Sequence, residues 1–425
     1  MNKVSIHINE LGPVRNQSIE LKPVMLFTGE SSLGKSYVNF LSYYLFYTFY
    51  SERMKVFLME KIDGAVDNKD TFSIQFSKAD FVEWLQNDVK NFFVYLYNFD
   101  EFKCDVKFIF EGVDDYFDIK YTKVAEKIND IDVLIFQAEI NGKKEHYVDV
   151  FSQKRDLFIC SSLCDVLCAK FLGHDIKGSY LLPPGRASLL TGDYTVQRGS
   201  SKMGLYDLFL RDNDFINSEA LRNKPKNPKN TTRTSLVQKL INGELMSEKE
   251  GLFLITKDRQ KIPIGAVASS IRELTPLLQL ILSDSISNRA ICIEEPEAHL
   301  HPEMQISIAD LLASCINGQA FLQITTHSDY FMQRINQLLK YGSIREQAPD
   351  KYNALCKTTG HLPDCYLNKE DLNAYYFSSE NGQTKIELLN IGNEGVPLST
   401  FFNAVGILSK EDELLNDELE RLKLQ

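Results

Sequence analysis

Apolar and polar residues alternate from Lys3 to Ile8, and the alternation ends at Leu11-Gly12-Pro13. A period of two predicts a strand with one buried face, closed by a turn. Val24-Met-Leu-Phe-Thr28 is instead a continuous apolar run that stops at Gly29. It predicts a strand buried on both faces that feeds a loop. The aromatic-rich stretch that follows predicts one long helix from Ser36 to about Leu58.

Residues 60–155 change character. They are acidic and aromatic, with partial alternation at Val106–Phe110, Tyr116–Tyr121 and Val133–Phe136, which predicts a strand-rich inserted lobe. No sustained heptad repeat appears, so long coiled-coil arms are not expected. A helix is predicted over 155–172, then a strand at Ser179–Leu182 ending in the tight loop Pro183-Pro184-Gly185-Arg186. Residues 221–239 carry Arg222, Lys224, Lys226, Lys229, Arg233 and Lys239 and are broken by Pro225 and Pro228, the pattern of a linker or exposed loop. From Gly265 the pattern is α/β again. It predicts a helix, a strand at 290–293, a helix after Pro302, a strand at 320–325 and a helix after Ser328. Strands at Ala374–Phe377 and Lys385–Leu389 and a charged terminal helix complete the chain.

Composition narrows the class. The 425 residues are long enough for two or three domains, and a hydrophobic content of 44% marks a globular chain. A net charge of −11 argues against a general nucleic-acid coat but leaves room for a local basic patch. The 221–239 stretch is a weak hint of DNA, because it lacks aromatics for base stacking. The first residues lack a signal-peptide core, and the longest uncharged run near the N-terminus, Ser36–Ser51, is too short to span a bilayer. A cytoplasmic protein with no membrane span is expected. The eight cysteines show no secreted framework. Cys160, Cys164 and Cys168 share a helix face, and Cys356, His361 and Cys365 form a looser group; each set lacks a fourth ligand, so core packing is the preferred reading over zinc.

Three distant segments carry the chemistry. Gly29-Glu30-Ser31-Ser32-Leu33-Gly34-Lys35-Ser36 matches a P-loop, set between a strand and a helix as that motif requires. Its glycines let backbone N–H groups turn toward phosphate oxygens, Lys35 reaches the β- and γ-phosphates, and Ser36 ligates Mg2+. Tyr37 follows at the helix start, whose dipole favours the anion. Ile291-Cys-Ile-Glu294-Glu295-Pro-Glu297 is an apolar strand ending in carboxylates. Neighbouring side chains diverge on a strand, so Glu294 can hold the metal while Glu295 activates water. Gln323-Ile-Thr-Thr-His327 ends another apolar strand, and His327 can hydrogen-bond a γ-phosphate. ATP and Mg2+ are the expected cofactors.

In this order the segments resemble the ABC-class ATPase heads of SMC-type and OLD-type proteins, and especially the stand-alone ATPases of prokaryotic defence systems. Glu294-Glu-Pro-Glu-Ala-His-Leu-His-Pro302 is similar to the extended Walker B and D-loop of that group, Thr326-His327-Ser328 to its switch-histidine loop, and Leu182–Arg186 to a Pro-x-x-Arg element. The likeness covers the first fifty residues and most of 178–405. It implies an α/β fold, an ABC-type P-loop head with a mixed sheet flanked by helices, interrupted by an α+β lobe. The implied divisions are 1–58 with the P-loop, 59–177 as the lobe, 178–345 with the remaining motifs, and 346–425 completing the head.

The resemblance also implies a homodimer or higher oligomer closed by ATP. In that assembly Ala268-Ser269-Ser270-Ile271 sits where the group carries the signature segment that caps a partner's nucleotide. Ile271 departs from the usual glycine, whose lack of a side chain permits close approach. A plain helix N-cap from Ser269 or Ser270 is the alternative. Arg186 is a candidate for nucleotide or cross-dimer contact, against an ordinary surface ion pair. The implied role is antiphage defence, with the ATPase sensing invasion and controlling a separate nuclease or toxin. The Asp-x-Asp of a TOPRIM nuclease does not occur after His327, so no nuclease activity of its own is expected. An SMC-like DNA-maintenance ATPase and a slow-turnover scaffold are the competing readings.

Overall fold

The computed structural model describes residues 2–62, 71–128, 131–151, 155–190, 204–222 and 231–423. The strands and helices in chain order begin with β1 (Lys3–Leu11), β2 (Val14–Glu20), β3 (Val24–Gly29), α1 (Lys35–Thr48), α2 (Glu52–Glu60), β4 (Thr71–Ser77) and α3 (Lys78–Tyr97). There follow β5 (Cys104–Glu111), β6 (Tyr116–Ile128), β7 (Ile131–Ile140), β8 (Lys143–Phe151), α4 (Arg155–Leu172), β9 (Ser179–Leu182), α5 (Arg186–Leu189) and α6 (Gly204–Arg222). The second half holds α7 (Thr231–Ile241), β10 (Gly243–Glu248), β11 (Gly251–Thr256), β12 (Lys261–Pro263), α8 (Ser269–Leu282), β13 (Ala290–Glu294), α9 (Pro302–Asn317) and β14 (Phe321–Thr325). The chain ends in α10 (Asp329–Gln347), α11 (Pro349–Thr359), β15 (Leu372–Glu380), β16 (Gln383–Leu388) and α12 (Ser399–Lys423).

A nine-stranded sheet in the order β5-β1-β2-β16-β15-β3-β14-β13-β9 organises the molecule. Strands β15, β3, β14, β13 and β9 run parallel. The other end is largely antiparallel, with β1 paired to both β2 and β5. The hydrophobic pattern explains the difference. Burial alternates along β1, whereas every residue of β13 and β14 is buried. Helices therefore cover both faces of the parallel part.

Side-chain alternation divides that part into two cores. Met25, Phe27, Cys292 and Phe321 point into one, with α1 and the aromatic lobe. Leu26, Ile291, Ile293, Leu322 and Ile324 point into the other, with α6 to α10. The expected mixed α/β sheet flanked by helices is what the chain forms.

Four elements depart from the sequence reading. The helix expected from Ser36 to Leu58 is two helices, because the Ser51 hydroxyl accepts from the Met54 N–H and starts a second one. The lobe contains the 20-residue helix α3, opened by a Ser77/Asp80 capping box. Its Phe81, Leu85, Val89, Phe92, Phe93 and Leu96 are spaced for a helix face, although aromatics favour strands. The lobe is also not separate. Strand β5 pairs along β1 in the large sheet, and Phe171 of α4 contacts Phe49, Phe81, Phe110 and Phe117 within one shared core. The remaining lobe strands form their own sheet, β4-β6-β7-β8.

The linker expected over 221–239 is helical from Thr231, and buried Arg233 bonds to Ser314 of α9. Lys224, Pro225, Lys226, Pro228 and Lys229 lie outside the described residues. Between α7 and α8, the three-stranded sheet β10-β11-β12 stands where no element was expected.

Candidate functional site

The parallel strands bring the three segments together. Strands β3, β13 and β14 are hydrogen-bonded neighbours running the same way, so their C-terminal ends share one edge. Gly29 ends β3, Glu294 ends β13, and Thr325 ends β14 just before His327. This is where open α/β sheets bind ligands.

The loop after β3 is held tightly. The Glu30 N–H donates to the Phe377 carbonyl at 2.9 Å, and the Thr384 hydroxyl donates to the Leu33 carbonyl at 3.2 Å. Gly29 has φ +118°, and a Cβ there would lie 2.2 Å from the Phe377 carbonyl oxygen, so only glycine fits. Gly34 (φ +90°) turns the chain into α1, and Ser32 also takes a left-handed conformation. Among the described residues no side chain caps the first turn of α1. Its N–H groups face the loop, as anion binding requires. Glu30, Ser31 and Ser32 are exposed.

Buried Lys35 donates to the carbonyls of Gly29 at 3.2 Å and Glu30 at 2.5 Å. Burial lowers its pKa, and the fields of Glu294, Glu295 and Glu30 oppose that shift. The Tyr37 ring packs edge-on against Tyr97 and Phe102, with centroids 5.3 and 5.5 Å away. Its ring is therefore committed to the aromatic core, leaving the backbone N–H as its means of meeting a phosphate.

The Ser36 hydroxyl donates to Glu294 Oε2 at 2.5 Å, joining the first segment to the second. The Asn39 amide donates to Glu294 Oε1 at 2.6 Å. Burial pushes the Glu294 carboxyl up, and hydrogen bonds from Asn39, Ser36 and Thr325 pull it down. A hydroxyl against a carboxylate beside a phosphate-binding loop is the donor set Mg2+ uses, since that ion keeps few protein ligands and takes the rest from phosphate and water. Ser36 and Glu294 thus fit the metal. Among the described residues no cluster of three or more His, Cys, Asp or Glu forms an all-protein metal cage.

Half-buried Glu295 has φ +47°, an uncommon conformation for glutamate, fixed by its N–H donating to the Thr325 carbonyl at 3.1 Å. Buried Glu297 joins the second segment to the third: its Oε1 accepts from the Thr326 hydroxyl at 2.6 Å and from the His327 N–H at 2.9 Å. The His327 side chain is partly exposed. Burial and the charge of Lys35 lower the imidazole pKa, while Glu295 raises it.

The remaining candidates lie differently. Arg186 is neither an exposed nucleotide ligand nor a surface ion pair. It is 2% exposed, pairs with Glu273 at 3.2 Å, and donates to the carbonyls of Glu273, Pro183 and Glu294. Burial lowers its pKa, and Glu273 leads the charges opposing that. It ties α8 and the β9 loop to the back of the carboxylate strand. Ser269 and Ser270 start α8 on the surface, and neither side chain caps it; Ala268 is the N-cap. Ile271 is partly buried against the second core, which accounts for an apolar side chain there.

The cysteine groups are structural. Cys160, Cys164 and Cys168 are buried in the aromatic core. His361 spends one ring nitrogen on Arg334 and the other on the Cys365 carbonyl, and stacks on Tyr341.

Sequence reasoning missed Asn39, Thr325 and Thr326 as site residues. The available signal was Asn39 itself, an amide one turn after Ser36 in a helix otherwise lined by apolar and aromatic residues.

Residues 194–333, about a third of the chain, match the family model described as "AAA domain, putative AbiEii toxin, Type IV TA system". The matched stretch contains the carboxylate strand and His327 but not the P-loop. No curated protein matches the chain. Among solved structures, the SmcHead bound to the C-winged helix domain of ScpA is similar at 12% identity, with 92% of this chain and 97% of that chain covered and a TM-score of 0.38. The Smc head domain of Pyrococcus furiosus, with an extended coiled coil and bound to the C-terminal domain of ScpA, is 11% identical, with 97% and 100% covered and a TM-score of 0.36. The SMC head domain from Thermotoga maritima is 11% identical, with 92% and 100% covered and a TM-score of 0.33. Among the described residues no helix is long and apolar enough to cross a membrane.

Proposed function

We propose that this protein binds ATP with Mg2+ and hydrolyses it, that two copies close over the bound nucleotides, and that the cycle controls a separate effector in antiphage defence. The observation that carries the catalytic part is the 2.5 Å contact between Ser36 of the P-loop helix and Glu294 of the carboxylate strand. It joins two motifs distant in sequence in the arrangement a phosphate-bound cation needs.

The loop N–H groups and Lys35 would hold the phosphates, with Lys35 exchanging its two carbonyl partners for phosphate oxygens. Ser36 and Glu294 would hold Mg2+, which when bound neutralises charge developing on the transferred phosphate. Glu295 would orient and deprotonate the attacking water. His327 would donate a hydrogen bond to the γ-phosphate, and Glu297 would fix the backbone that presents it.

The exposed start of α8 supports dimerisation. Ser269 and Ser270 would cap the nucleotide of a second copy, and a nucleotide touching both copies favours the closed state by mass action. The toxin–antitoxin wording of the matched family supports the defence role. Glu295→Gln in Mg-ATP is the test of closure. Light scattering should show a mass near twice the 48.6 kDa chain, reverting on nucleotide removal. A monomer with ATP demonstrably bound would contradict it.

A further inference from the structure

Asn39 stands out on α1. It is fully buried among Val38, Phe40, Leu41 and Tyr43, where an apolar side chain would pack without a polar penalty. Its Oδ1 is buried with no hydrogen-bond partner among the described residues, which is a stability cost. Its Nδ2 makes one bond, to Glu294 Oε1 at 2.6 Å. Ser36 lies three residues earlier on the same helix face and takes the other oxygen at 2.5 Å. The two donors therefore clamp both oxygens of one carboxylate. The Cys292 thiol, two residues before Glu294, contacts the Asn39 carbonyl at 3.9 Å and registers helix against strand.

Glutamate has one more rotatable bond than aspartate, so a metal-binding glutamate at a strand end needs more fixing to present one oxygen in one direction. We propose that Asn39 is a positioning residue for the metal: by holding Oε1, it orients Oε2 beside the Ser36 hydroxyl and sets the affinity for the Mg2+ that arrives with nucleotide. This rests on the ATP and Mg2+ reading of the site. Partners that orient a metal ligand commonly change metal affinity by about 10–100-fold when removed.

The test is binding of a fluorescent ATP analogue to the full chain, titrated with MgCl2 and repeated in EDTA. Asn39→Leu keeps the volume and removes the donor; Asn39→Ser serves as a second variant if leucine disturbs folding. The Mg2+ midpoint should rise roughly 10–100-fold while binding in EDTA stays unchanged. Glu294→Ala with and without Asn39→Leu should share one midpoint, because Asn39 acts through Glu294. A folded Asn39 variant with the wild-type midpoint would overturn the inference alone, as would one that weakens binding equally in EDTA. Lys35→Ala separates the two levels. If it binds the analogue as wild type does, or wild type does not bind at all, the nucleotide reading fails and the inference with it.

Discussion

Burial raises the pKa of several carboxylates, and Asp212 gives that a measurable consequence. Its carboxylate accepts the Leu181 N–H at 3.0 Å, covering the open edge of β9. Burial pushes its pKa up to about 7 from an ordinary 3.8, against that hydrogen bond and Arg211. Between those values the folded state holds a proton that the unfolded chain has lost. Asp212 therefore contributes stability that is complete below about pH 4 and is lost as pH rises through about 7. Asparagine can still accept from Leu181 but does not titrate. The stability of Asp212→Asn relative to wild type should rise between pH 5 and 7.5, read from urea midpoints; a constant difference would refute the shift. Such residues were not legible in the sequence. Lys35, Ser36 and Glu294 were, because a loop pattern and a strand end announce them locally. Asp212, Arg186 and Asn39 take their roles from partners far along the chain, which a linear pattern does not reveal.

Among the elements, the strands leading into the site were the most readable. Continuous apolar runs mark β3, β13 and β14, and their register follows from burial on both faces. The errors came from competing signals. A single serine cap split α1 from α2, and α3 lies in a stretch whose aromatic content pointed only to a strand-rich lobe. The terminal helix α12 was anticipated, but not its isolation. Every side chain from Val405 to Leu422 is exposed, including Leu408, Leu415 and Leu422 at intervals of seven. It therefore adds little to the head's own stability. Truncation before Gly406 should move Tm by no more than about 1–2 °C, since exposed groups away from the core typically change stability by under ~0.5 kcal/mol. A larger fall would show that α12 packs on the head. Scanning calorimetry distinguishes the outcomes.

Across the whole molecule, topology turns three separate segments into one place. Parallel pairing sends β3, β13 and β14 in one direction, and their ends supply the loop, the carboxylates and the histidine. The sheet's two cores fix those ends from opposite faces: α1 presses Ser36 and Asn39 onto Glu294 from one, and Arg186 ties α8 to the Glu294 carbonyl. The order of the motifs made this grouping foreseeable. The merging of the lobe into the first core was not, because nothing local signals that β5 pairs with β1. The account stands or falls on catalysis at this edge. Steady-state phosphate release from Mg-ATP is the direct measurement, on wild type, Lys35→Ala and Glu295→Gln. Wild type should turn over, and removing the base should slow release by about 10²–10⁴-fold, with Lys35→Ala at least as slow. Wild-type rates in both variants would contradict the assignment.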